Sequence, residues 1–304
     1  VKVNPDGSAV VLVGSADMGQ GSNTVLSQIA AEELGVPLDS VAIVSGDTKI
    51  TPHCSGTVGS RVTYATGNAI RKAAAQAKRI LFETAAEKLS VSTEALKLED
   101  GWIYVKNVPE KRTSIGTIAS ASYQLRGEPV IATAHFNPPN TPLDPETGQG
   151  NPFPTYIYAT QVAEVEVNMK TGLAKVLRIT AAHDVGKAIN PQLVRGQITG
   201  GILMGLGQAL MEEIILKEGC TLNPNLSDYL IPTAMDVPEV DVIVVENDEP
   251  TGPFGAKGVG EAGNIAAAPA IINAIHDAVG IRIGELPATP ERVLLALRKP
   301  AKRD

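Results

Sequence analysis

Three glycine-bearing turns, far apart in the chain, each run straight into a helix-forming stretch, and this repetition constrains the fold more than any other feature. The first is Met18-Gly19-Gln20-Gly21, ahead of an apolar-periodic run at Val25, Ile29, Ala30 and Leu34. The second is Gly56-Thr57-Val58-Gly59-Ser60, ahead of a helical pattern from Arg61 to Leu89 with Ile70, Ala73, Ala74, Ala77, Ile80, Leu81 and Ala85 on one face. The third is Gly255-Ala256-Lys257-Gly258-Val259-Gly260-Glu261, ahead of a small-residue segment. A glycine turn at a helix start lets backbone approach a ligand closely and presents free N–H groups at the positive end of the helix dipole. Taken singly, each turn reads more plainly as a tight connection with no ligand. Three in one chain point to a large, phosphate-bearing group held mostly by backbone, beside one carboxylate. That carboxylate is Glu261, where the helix N-terminus favours the charged form and burial the neutral one. Such a position suits a catalytic base.

Two nucleotide-binding spellings are set aside. The first turn lacks the lysine of a P-loop, so ATP is not indicated. Gly258-Val259-Gly260-Glu261-Ala262-Gly263 matches G-x-G-x-x-G in letters only. A loop from Asp248 to Ala256 separates it from the strand before it, and Asp277 falls on the following helix instead of a second strand.

The rest of the chain reads as alternating strands and helices. Strands are expected at residues 1–4, 8–14 and 41–47, then a ribbon over 91–108 with Trp102 in a satellite core, and a short helix over 113–122. Residues 126–155 are proline-rich and irregular, and the main internal boundary is placed here, giving subdomains 1–125 and 126–304. Strands follow over 156–168, 173–183 and 240–246, and helices over 264–279 and 290–298. The helix after Asn190-Pro191 carries Gly196, Gly200, Gly201, Gly205 and Gly207. Glycine at that density is costly in an isolated helix, so either another backbone or a large flat ligand packs on that face. The expected class is α+β: two subdomains of mixed and antiparallel sheets with packed helices.

Composition excludes several partners. The 304 residues carry a net charge of −7 with no long basic run, which disfavours nucleic acid. No apolar stretch reaches membrane-spanning length. Two cysteines, Cys54 and Cys220, are too few for a disulfide framework or an iron–sulfur site. A reducing, cytoplasmic setting fits. His53 and Cys54 lack further ligands at metal-binding spacing and read as structural. The chain opens within a strand, on Val rather than Met, which suggests a processed subunit or one piece of a larger architecture.

At this point the motifs carry a family resemblance. Met18-Gly19-Gln20-Gly21, Gly56 to Ser60, His183-Asp184-Val185-Gly186 with Asn190-Pro191 and Gly196-Gln197, and Gly258-Val259-Gly260-Glu261 resemble, in order and spacing, the molybdenum-binding subunit of the xanthine dehydrogenase/aldehyde oxidase family. The likeness covers the C-terminal half of that subunit and is most similar to the split arrangement of nicotinate dehydrogenases, where two polypeptides share the molybdenum site. Leu143-Asp144-Pro145-Glu146-Thr147-Gly148 is also similar to bacterial members.

The resemblance implies a molybdopterin cofactor, in its cytosine dinucleotide form, whose dithiolene holds the molybdenum without a protein ligand. It implies cofactor contacts from Gly19, Gln20, Gly21, Thr57, Val58, Gly59, Ser60, Val62, Gln197, Gly258, Val259 and Gly260, with Val58 and Gly59 also lining the substrate. Positions 59 and 62 are often alanine and serine in the family. Val62 removes a hydroxyl contact, and Gly59 widens the substrate side. Glu261 matches the family's base in hydroxylation of an electron-poor N-heteroaromatic carbon, nicotinate-like, with water as the oxygen source. Implied partners are an N-terminal molybdenum half-subunit, an iron–sulfur subunit carrying [2Fe-2S] clusters and a FAD subunit. Within the family, a 4-hydroxybenzoyl-CoA reductase-like or an aldehyde- or xanthine-oxidising reaction stays open. From another class, a non-catalytic assembly subunit is the alternative, which a glutamate at 261 argues against.

Overall fold

The computed structural model describes residues 1–298, and the chain divides into two compact units. The first comprises Val1–Tyr156 and Asp248–Gly258; the second comprises Ile157–Asn247 and the chain from Val259 onward. The secondary structure is mixed, with small sheets and packed helices in each unit.

In the first unit, β1 (Lys2–Val3) and β2 (Ala9–Val13) are antiparallel, and β3 (Val41–Ser45) pairs parallel to β2. The parallel pairing requires a crossover, and α1 (Ser22–Leu34) supplies it. Strand β2 alternates as its sequence demands: Ala9, Val11 and Val13 are buried, while Leu12 faces out. The sequence pattern runs one helix from Arg61. Instead, Val62–Thr66 forms a π turn, and α2 (Gly67–Leu89) follows it. Alanines 74, 77 and 85 of α2 are buried and, with Leu81, join Leu34 of α1 in one core.

A three-stranded antiparallel ribbon completes this unit: β4 (Leu96–Glu99), β5 (Trp102–Val105) and β6 (Val108–Ser114), with α3 (Ile115–Arg126) after it. Two readings are corrected here. Residues 108–114 are a strand, so the helix starts at Ile115. Trp102 is not in a satellite core: the pleat turns Ile103 and Val105 inward, and Trp102 lies outside at 42% exposure, with the Arg112 guanidinium 4.6 Å from its ring centroid.

The second unit is built on a sheet ordered β11-β8-β7. Here β7 (Ala159–Val167) and β8 (Ala174–Asp184) are antiparallel, and β11 (Glu239–Val245) pairs parallel to β8. Between them run α4 (Pro191–Leu210) and a small hairpin of β9 (Leu216–Lys217) and β10 (Cys220–Thr221). Asn190 caps α4, accepting the Leu193 amide on Oδ1, with Pro191 at the first helical position. The expected helix over 264–279 is broken: α5 (Ala262–Ile265) stops at Ala266, and α6 (Ala267–Val279) begins there. The chain then continues to α7 (Pro290–Arg298). Ile179 and Ala181 of β8, Ile198, Ile202 and Leu206 of α4, and Ile271 and Ile275 of α6 form the core.

Candidate active site

The first unit stitches its glycine turns together. Gly14 ends β2 against the loop of residues 52–54: a Cβ there would collide with the Pro52 carbonyl and lie 2.9 Å from the Cys54 Cβ. Across the same seam, the Thr57 hydroxyl donates to the Ala16 carbonyl at 2.8 Å. The second turn is braced internally by Arg61, whose Nη1 donates to Ser55 Oγ at 2.9 Å and to the Gly56 carbonyl at 3.0 Å. The third turn lies against the second, since a Cβ on Gly258 would run into the Ser60 carbonyl oxygen. So Gly19 to Gly21, Thr57 to Ser60 and Gly258, far apart in sequence, form one platform.

Two non-glycine residues of this platform hold left-handed backbone, Ser60 at φ 53° and Phe254 at φ 52°. Each costs of order 1 kcal/mol, a strain that is kept where surroundings dictate it. The loop preceding Gly258 is anchored by Glu249, which accepts from the Thr155 hydroxyl at 2.8 Å and the Thr251 hydroxyl at 2.6 Å. Tyr64 and Thr251 share a further hydroxyl contact at 2.8 Å, and the buried Lys257 donates to the Tyr156 carbonyl at 2.9 Å. Burial raises the Glu249 carboxyl pKa, but the Thr251 and Thr155 hydroxyls and the Lys257 charge lower it further, and the net shift is downward.

The start of α1 does not wait for a ligand anion. Asp17 Oδ1 accepts from the Gly19 amide and Oδ2 from the Asn23 amide, each at 2.9 Å. Burial raises the Asp17 pKa, but these bonds outweigh it, and the group sits below the usual carboxylate range. Gln20 closes the same turn. Its Oε1 accepts the Met18 amide at 2.6 Å, and its Nε2 donates to the Ala16 carbonyl at 3.1 Å and to Ser22 Oγ at 3.0 Å.

What the platform offers a ligand is neutral and mostly backbone. Around a Cβ built on Gly19 or on Gly59 no atom lies within 4 Å, so both backbones face clear space. Val58 stands 60% exposed and is the apolar side chain of the second turn. Ser15 Oγ is buried without a hydrogen-bond partner among the described residues. Val62 differs from its neighbours in the motif: its side chain is buried at the start of the π turn. Among the described residues no three His, Cys, Asp or Glu groups gather to hold a metal ion. The bare glycine faces and the unpartnered Ser15 hydroxyl fit a flat group held mostly by backbone.

The second unit holds Val259, Gly260, Glu261 and Gln197. Glu261 is exposed, immediately before the single turn α5, and its carbonyl accepts the Asn264 amide at 3.0 Å and the Ile265 amide at 3.2 Å. That turn is seated directly on α4. A Cβ on Gly263 would lie 3.2 Å from the Gln197 carbonyl, and one on Gly201 would lie 2.7 Å from the Gly263 carbonyl carbon. Gly205 similarly abuts Ala267 and Asn264. Of the two expectations for the α4 glycines, backbone packing accounts for Gly201 and Gly205, and the partner is a helical turn and not the sheet. Gly196 and Gly200 face open space.

Sequence reasoning places His183 in a motif without giving it a role, and it misses Arg61, Thr251, Gln161 and the pairing of Gln161 with His183. Only Arg61 leaves a signal, a cation abutting a glycine turn. His183 is completely buried, and burial pushes its imidazole pKa below the ordinary value of 6.5. The unfolded chain therefore binds more protons between about pH 6.5 and the lower folded value. Stability is full above that window and falls as pH drops through it, by at most about 1.4 kcal/mol per pH unit for one proton. Urea midpoints measured from pH 8 to pH 5 should show this decline, and His183→Gln should flatten it.

A model of the molybdopterin cofactor-binding domain matches residues 1–238. The chain is 37% identical over 297 residues to the 6-hydroxypseudooxynicotine dehydrogenase complex subunit gamma of Paenarthrobacter nicotinovorans, covering 96% of this chain and 36% of that protein. It is 36% identical over 304 residues to the xanthine dehydrogenase molybdenum-binding subunit of Escherichia coli O157:H7, covering 96% of this chain and 38% of that one. Quinoline 2-oxidoreductase from Pseudomonas putida 86 superimposes with a TM-score of 0.85 at 32% identity, over 99% of this chain and 38% of that chain. The chain thus spans well under half the length of each of these proteins.

Proposed function

The chain belongs to the molybdopterin cofactor-binding family that includes the xanthine dehydrogenase molybdenum subunits, and from that membership we propose that it forms the cofactor platform and carries the base of a molybdenum hydroxylase acting on an electron-poor, nicotinate-like N-heteroaromatic ring. The observation that carries this reading is the union of the glycine turns in the first unit, sewn by Thr57 to Ala16 and by Gly258 against Ser60. Likeness to proteins named for a pyridine alkaloid derivative and for quinoline supports the substrate class.

When bound, the molybdenum pterin, as its cytosine dinucleotide, supplies the two-electron oxidation. The chain's residues hold and orient it: the backbones of Gly19, Gly21, Thr57, Gly59, Ser60, Gly258, Val259 and Gly260, and the amides of Gln20 and Gln197. Val62 acts from beneath the turn, through packing. Val58 and the bare face of Gly59 border a small aromatic substrate. The Glu261 carboxylate accepts a proton from the water-derived oxygen that attacks the ring carbon, a step that needs a base within hydrogen-bond reach. The [2Fe-2S] and FAD groups that would take up the electrons belong, on this reading, to partner subunits, beside an N-terminal molybdenum half-subunit, in the cytoplasm. The enzyme's protein supplies position and electrostatics while the cofactor carries the redox chemistry.

Metal and pterin analysis of the purified native complex, with dye-linked turnover of nicotinate, quinoline, xanthine, benzaldehyde and an aromatic acyl-CoA, tests the reading. Stoichiometric molybdenum and preference for the N-heteroaromatic compounds are expected. A complex free of molybdenum makes the chain an assembly subunit, and preference for the acyl-CoA moves it to dehydroxylation. In the same complex, Gln20→Ala and Gln197→Ala should each weaken pterin retention about 2- to 10-fold, the worth of one neutral hydrogen bond. Unchanged occupancy in either variant removes that residue from the cofactor's contacts.

A further inference from the structure

The turn that follows Glu261 is held from the sheet as well as from α4. Gln161 of β7 donates from Nε2 to the Gly263 carbonyl at 2.8 Å, and the same nitrogen lies 3.3 Å from His183 Nε2 on β8. The Gly263 carbonyl only accepts, so the amide must present its nitrogen there and not its oxygen. Its second N–H then points at His183 Nε2, which must accept. His183 is therefore neutral, with its proton on Nδ1. Complete burial favours that form.

This arrangement is not a well-satisfied core network. Gln161 Oε1, His183 Nδ1 and Asn264 Oδ1 are all buried without partners among the described residues. Each such atom has lost its water with no bond to offset the loss, and an apolar trio would be cheaper. The geometry accounts for the polar choice only through what Gln161 reaches. A four-residue turn such as α5 has no stability of its own. Its seat is set by α4 below, where Gly201 and Gly205 leave no room for a side chain, and by the Gln161 amide at its carbonyl edge. Glu261 lies two residues before Gly263, and its carbonyl is bonded into the same turn.

We propose that Gln161, oriented by His183, is a positioning residue that fixes the Glu261 turn and so aims the carboxylate. The proposal rests on the reading of Glu261 as the base. A misplacement of about 1 Å in a reacting group costs up to about 100-fold in rate.

The test uses the purified native complex, assayed with whichever of nicotinate and quinoline the wild type turns over faster. Gln161→Met keeps the length of the side chain and removes both donors; Gln161→Glu keeps the shape but cannot donate to the Gly263 carbonyl and to His183 together. Both should lower kcat about 10-fold, leave KM within about twofold and leave molybdenum content unchanged. Amide hydrogen exchange over residues 261–265 should quicken in both, with and without cofactor loaded. His183→Gln retains an acceptor for the Gln161 amide and should stay within about twofold of wild type, whereas His183→Leu should behave as Gln161→Met does. Wild-type kcat and wild-type exchange in either Gln161 variant, with Glu261→Gln inactive, overturns the positioning role and leaves the base reading standing. Near-normal turnover in Glu261→Gln overturns both. Should Gln161→Met fail to assemble, Gln161→Glu and the two His183 variants decide on the same readouts.

Discussion

Glu261→Gln is expected to lower turnover by roughly 10²- to 10⁴-fold, the usual contribution of a positioned general base, while molybdenum and pterin content stay at wild-type levels. The substitution keeps the shape of the side chain and removes its ability to take a proton. The side chain is exposed and makes no capping bond to α5. The turn itself is closed by the Glu261 backbone carbonyl, which glutamine also has. The loss should therefore fall on kcat, with substrate affinity nearly unchanged. Stopped-flow reduction by substrate, which isolates the chemical half-reaction, is the measurement. Retention of near-normal reduction rates would remove Glu261 from the chemistry and with it the hydroxylase mechanism.

The glycine turns are legible from sequence because their chemistry is local. Gly, Asp and Ser at fixed offsets before an apolar-periodic run specify a turn and a helix start without knowledge of the fold. What the turns do together is not local. The Thr57 hydroxyl reaches Ala16 across 41 residues, and Gly258 meets Ser60 across nearly two hundred, so their union depends on the parallel pairing of β2 with β3 and on the return of residues 248–258 to the first unit. Family resemblance supplies that union where periodicity cannot.

Elsewhere the misses have separate causes. Strand β6 reads as polar because five of its first residues face solvent. The break at Ala266 has a local cause that the apolar period hides: Pro269 has no amide to bond the Ile265 carbonyl, so the proline is accommodated only in the first turn of a new helix. The Gln161–His183 pair is hidden by register: the two residues become diagonal neighbours only because β7 pairs with β8 around a bulge at Glu164 and Val165. A strand prediction correct in every boundary still leaves that register open.

Gly258→Ala is expected to be strongly damaging for the addition of a single methyl group. The backbone at Gly258 needs no left-handed φ, so the glycine is there for space alone: the missing Cβ is where the Ser60 carbonyl oxygen lies. That oxygen belongs to backbone and cannot rotate away as a side chain does. Ser60 already holds a left-handed conformation, and the residues before it are tied by Arg61 and Thr57. Relief requires the third turn to lift from the second, and Lys257 and Glu249 hold its earlier residues in place. Overpacking of this kind costs about 1–3 kcal/mol. The thermal midpoint should fall by several degrees at roughly 2–4 °C per kcal/mol, and pterin occupancy should fall with it. Gly59→Ala separates the two effects. Its Cβ would enter clear space, at the expense of about 1–2 kcal/mol for a left-handed alanine, with no backbone to displace. Apoprotein of Gly59→Ala should therefore retain the seam between the turns, read by exchange protection around Ser60, while Gly258→Ala apoprotein loses it. Equal protection in the two variants would mean that the turns do not depend on the bare face of Gly258.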